Sequence, residues 1–166
     1  MTTCRRCAAL GLLLALASAA GAQGSNSSKD GLPPRPPSVT SQWLSTEIAG
    51  FGVEKEGEAF VARYSISLVP VAKLAADVFL EIKFENPANK AEPFVVTQLM
   101  KKDDERAMLG SPAITSMKCG LYRAEVNIYD SDKKEKLLGV HTQMVRSTYD
   151  LSKVKKQKDL ESPSKC

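Results

Sequence analysis

Apolar and polar residues alternate one by one through the middle of this chain, and that alternation leaves little choice of fold. Phe60, Ala62, Tyr64, Ile66 and Leu68 share one parity, with Arg63, Ser65 and Ser67 between them. Val78, Leu80, Ile82 and Phe84 interleave with Glu81, Lys83 and Glu85, and Tyr122, Ala124, Val126 and Ile128 with Arg123, Glu125 and Asn127. Successive side chains of a strand point to opposite faces, so each run buries one face and wets the other. A helix would need apolar spacings of three and four. Turn residues fall between the runs at Glu56-Gly57, Asn86-Pro87, Asp103-Asp104, Ser111-Pro112 and Asp130-Ser131-Asp132. The pattern predicts strands near 45–53, 58–69, 77–85, 93–100, 106–110, 119–130 and 136–147. That is an all-β, antiparallel two-sheet sandwich of about seven strands, spanning 42–148. The alanine-rich stretch 71–76 is expected as a short helical turn crossing between the sheets.

The two ends read differently. Arg5 and Arg6 precede an apolar run from Ala8 to Ala17, and Ala20-Gly21-Ala22 fits a small-residue cleavage pattern. Residues 1–22 are therefore expected to be a signal peptide, with the mature chain beginning at Gln23 in an extracytoplasmic, secreted setting. The apolar run is too short for a membrane span, which needs about 20 residues, and no membrane span is expected elsewhere. Residues 23–41 form a Pro/Ser-rich leader, in which Pro33-Pro34-Arg35-Pro36-Pro37 favours extended polyproline geometry. Asn26-Ser27-Ser28 matches a glycosylation acceptor at Asn26. Residues 149–166 are expected as a basic, disordered tail; within 151–166, Lys153, Lys155, Lys156, Lys158 and Lys165 outnumber Asp159 and Glu161. The formal charge of +4 lies mostly in the signal segment and this tail. With no basic face on the domain itself, no nucleic-acid partner is expected.

The segment Gly120-Leu121-Tyr122-Arg123-Ala124-Glu125-Val126 resembles the G-x-Y start of the penultimate strand in immunoglobulin-like and fibronectin-type-III-like domains. The resemblance implies that Leu137 to Arg146 is the last strand. It also implies that Tyr122 is a corner tyrosine, its ring in the core and its hydroxyl bonded back to the preceding loop. The implication concerns fold alone.

Catalytic chemistry is sparse. His141 is the chain's single histidine, at the parity of Gln143 and opposite Val140, Thr142 and Met144, so it is expected on the outer face. No G-x-S-x-G elbow accompanies it. Asp130 and Asp132 have the spacing of a calcium-loop start, but Glu135 and His141 stand where the loop needs glycine and glutamate. Glu81 and Glu125 occupy outward positions beside Lys83 and Arg123, as on a solvated sheet face. No catalytic residue, metal ligand or cofactor is assigned, and the chain is not expected to be an enzyme.

What remains is a binding reading. Strand 93–100 carries Phe94, Val95 and Val96 in succession, apolar at both parities. Such a strand is either central and covered on both faces or an edge whose outer side takes a partner. Cys119 and Cys166, the cysteines outside the signal segment, are a candidate disulfide, because exported thiols meet oxidising conditions. The alternatives are a tail-linked dimer and free thiols. The expected function is a secreted, non-catalytic binding or accessory module for an extracellular protein or glycan, as a monomer or a tail-linked dimer. A small secreted hydrolase, or an inhibitor of one, is the alternative.

Overall fold

The computed structural model describes residues 32–161. The expected signal segment 1–22, Asn26 and Cys166 lie outside them. Seven strands form in chain order: β1 (Leu44–Glu56), β2 (Ala59–Pro70), β3 (Val78–Phe84), β4 (Phe94–Met100), β5 (Ala107–Gly110), β6 (Gly120–Tyr129) and β7 (Leu137–Ser147). Every bound falls within three residues of its expected place. The strands build two antiparallel sheets, β1-β2-β5 and β4-β3-β6-β7. The alternating runs supply the core between them: Tyr64, Ile66 and Leu68 from β2, Leu80, Ile82 and Phe84 from β3, Val126 and Ile128 from β6, all buried. Tyr64 stacks at 4.8 Å on Phe84 and at 4.3 Å on Phe51, and its hydroxyl donates to Glu85 O at 2.8 Å. Large rings meeting between the sheets leave a filled core there, in place of a ligand chamber. Tyr122 is buried and its hydroxyl donates to Lys118 O at 2.8 Å, so it ties β6 to the preceding loop.

In three places the structure departs from the sequence expectation. Residues 71–76 form no helical turn. Val71 N donates to Trp43 O at 3.0 Å and Leu74 is buried in the core, so the crossing stays open as a loop pinned at two points.

The second departure is at the ends. Val39 O accepts from Thr46 N at 2.8 Å, Val39 N donates to Gln143 Oε1 at 2.9 Å, and Gln143 Nε2 donates to Pro37 O at 3.0 Å. Arg146 reaches Pro33 O at 3.2 Å. A polyproline segment makes no internal backbone hydrogen bonds, so its carbonyls are available to side chains of β7. At the other end Leu151 N donates to Met117 O at 2.9 Å, and Leu151 and Val154 are buried. Packing therefore runs on past residue 148.

The third departure is β7, whose expected faces are reversed. His141, Gln143, Val145 and Ser147 are buried, while Val140 is exposed and Thr142 and Met144 are half-buried. His141 is 1% exposed, not a surface residue. Register explains the reversal: Val126 faces His141, Ala124 faces Gln143 and Tyr122 faces Val145, so the inward parity of β6 selects these residues. They are tolerated because β1 and the leader supply partners, as in the 2.8 Å hydrogen bond between Thr46 Oγ1 and His141 Nε2.

Candidate functional site

Four strand edges are exposed by this topology, and three of them are blunted. Residues 33–39 are tied down over β7 by Gln143 and Arg146. β1 carries a register shift between Thr46 and Ile48 and receives Val39 there. β5 is four residues long. β4 has none of these devices: its seven residues, FVVTQLM, contain no charge and no proline, and pair with β3 without a register shift. Bulges, short strands and covering segments are how proteins keep sheet edges from pairing, so among the described residues β4 is an open edge of this fold.

The direction of its unpaired backbone groups follows from alternation. Glu85 N donates to Arg123 O on β6. The odd residues of β3 therefore face β6 and the even ones face β4, where their partners are Phe94, Val96, Gln98 and Met100. Lys102 N, donating to Asp77 Oδ1 just before β3, keeps the same phase. The N–H and C=O groups of Val95, Thr97 and Leu99 are left pointing away from the sheet. Their side chains are exposed as well, Val95 by 53% and Leu99 by 52%. Of the residues singled out from the sequence, only Val95 projects outward; Phe94 and Val96 are half-buried on the inner side.

An apolar row continues from this edge across the outer face. Leu99, Phe79, Tyr129 and Leu137 stand side by side on β4, β3, β6 and β7, and Val140 lies one row along. Leu137 is 51% and Val140 46% exposed. The row joins residues of four strands, so no single stretch of sequence displays it. Its sequence signal is that Phe79 and Tyr129 share the parity of Glu81, Lys83, Glu125 and Asn127, where charge is the rule.

The rest of this face is charged and internally matched. Glu81 accepts from Lys134 and from Asn127 Nδ2 at 3.4 Å. The Lys134 contact, above all, holds its carboxyl below the usual glutamate range against the opposing effect of burial. Glu125 pairs with Arg123. A cavity of about 270 Å³ is lined by Lys83, Glu85, Lys90, Pro93, Arg123 and Glu125. Glu85 meets Lys90 Nζ there at 2.8 Å, and the same contact raises the Lys90 pKa. With its carboxyl held down by Lys134, Glu81 is a poor proton donor near neutral pH. His141 is likewise remote from solvent, and burial lowers its pKa against a smaller opposing effect of the Leu44 backbone. Among the described residues, no group of three His, Cys, Asp or Glu side chains is placed to hold a metal ion, and no helix is long and apolar enough to cross a membrane. Cys119 stands immediately before β6; its candidate partner Cys166 lies outside the described residues.

The fold thus defines the class, an antiparallel two-sheet β-sandwich of seven strands. Comparison with protein-family models and with curated proteins found no match.

Proposed function

We propose that the chain is a secreted, non-catalytic binding or accessory module that takes a protein partner along β4. The observation that carries this reading is the uncovered β4 edge, with outward backbone groups and exposed apolar side chains on the same residues. An edge of that kind adds a strand from another chain, main-chain hydrogen bonds giving affinity and alternate side chains giving selectivity. A protein fits this surface better than a glycan, because the row from Leu99 to Leu137 offers apolar side chains where a sugar wants hydrogen-bonding groups. The secreted setting rests on the Arg5–Ala22 segment. An immunoglobulin-like or fibronectin-type-III-like relationship is supported by the strand order and the Tyr122 hydroxyl bond. Cys119 and Cys166 are proposed to form an internal bridge.

Val95→Lys tests the reading. It sets a charge into the outward row of β4 while leaving the β3 ladder intact. Capture of protein partners from the native secretome by the mature chain should fall, with the melting temperature nearly unchanged. A large loss of stability, or undiminished capture, would refute the β4 edge as the site.

A further inference from the structure

The β4 edge is complementary to itself, and we infer that its partner is a second copy of this chain, paired antiparallel about a two-fold axis at Thr97. This inference rests on β4 being the partner surface and specifies what fills it.

An isologous strand pair makes every residue meet its own mirror position, so most sequences clash with themselves. Residues 94–100 do not. Thr97 is the central residue of β4, and the axis there sets Thr97 against Thr97 of the second copy and Val95 against Leu99. These three residues carry the outward backbone groups, so the hydrogen-bonding phase agrees with the side-chain match. Each of the resulting pairs exchanges two main-chain hydrogen bonds. On the exposed face an apolar pair flanks each side of a threonine pair, a favourable cross-strand arrangement. β4 has no ionisable residue, so no like charges meet.

Beyond the strand ends, the same axis brings the turn that holds Lys102 toward the bend that holds Glu92 of the second copy, so the flanking charges are of opposite sign. Both residues are exposed. The two four-stranded sheets would join as one continuous sheet, and the apolar row ending at Leu99 would be lengthened by Val95 of the second copy before it meets that copy's Lys83.

Three variants test the pairing, with sedimentation velocity of the mature protein over a wide concentration range. The native chain should show a reversible dimer that persists in reductant. Thr97→Lys, which sets like charges opposite each other, should weaken it by roughly fivefold or more without lowering the melting temperature. Thr97→Cys should give a reductant-sensitive crosslinked dimer. Val95→Cys should not, because its two copies lie about 13 Å apart along the strands, beyond disulfide reach. The native cysteines are identical in both variants, so only the register differs. Equal crosslinking at 95 and 97, or a dimer indifferent to Thr97→Lys, overturns the pairing. A chain that stays monomeric also overturns it. If Val95→Lys still abolishes capture of another protein by that monomer, the edge survives as a binding site; if capture persists, both readings fall.

Discussion

Polar side chains turned inward on an outermost strand are costly unless each finds a partner within the fold. β7 meets that condition at Gln143, with Pro37, Val39 and Met144, and at Nε2 of His141, with Thr46. For His141 the consequence is a pH dependence. Its folded-state pKa lies below the ordinary 6.5, so the unfolded chain binds the proton more readily. Stability is therefore full above about pH 6.5 and is lost as pH falls from there toward the folded pKa. No other side chain ordinarily titrates in that window, since His141 is the only histidine. Urea unfolding at about pH 7.5 and about pH 5 should show the native protein weaker at the lower pH. His141→Gln should show a smaller difference between the two, whatever its absolute stability. An equal slope in both proteins would mean that the buried imidazole is not the group responsible. Glu81 acts in a separate, lower range: its carboxyl is held down by Lys134, so its contribution is present above the usual carboxylate range and fades below it.

At the scale of elements, the strands were legible wherever one sheet face is apolar and the other polar. β2, β3 and β6 satisfy that condition, and their core positions, such as Ile66, Ile82 and Val126, are buried as the alternation requires. β7 does not, because it lies where the two sheets come together and borrows its partners from β1 and the leader. Val140, Thr142 and Met144 look like the buried set by hydropathy alone, and only the register with β6 shows otherwise. The candidate site was half legible for a similar reason. The apolar character of 94–100 is local information, whereas its place at an edge depends on the order of all four strands. The β6–β7 pair also contains an irregularity between Ile128 and Tyr129, beside which Gly139 passes under the Trp43 ring. A Cβ at Gly139 would stand 2.6 Å from Cδ1 of Trp43 and 2.9 Å from Nε1, so one of them must move. Gly139→Ala should cost about 1–3 kcal/mol by overpacking. It should also disturb the 3.1 Å bond from Trp43 Nε1 to Leu138 O, shifting the emission of the chain's only tryptophan. An unchanged spectrum and unfolding midpoint would show that this approach is not tight.

For the molecule as a whole, the flanks are structural members. Composition marked both ends as unsuited to a core of their own, but it carries no information on docking against a sandwich already formed. Leu151 is the clearest case, buried with its amide on Met117 O. Leu151→Ala should lower the unfolding free energy by about 2 kcal/mol or more, whereas Lys155→Ala, at an exposed position, should change it little. Equal, small effects would return the tail to the role of a loose appendage. The leader has a different consequence, in time rather than in energy. Trp43 and Leu138 are 95 positions apart, and Val39 and Gln143 are 104 apart, yet each pair is in direct contact. Contacts of such span require the closure of nearly the entire sandwich, and proteins dominated by them fold slowly. A polypeptide emerging amino end first holds Val39 and Trp43 without their mates until β7 has followed. The sandwich is latched by its last strand.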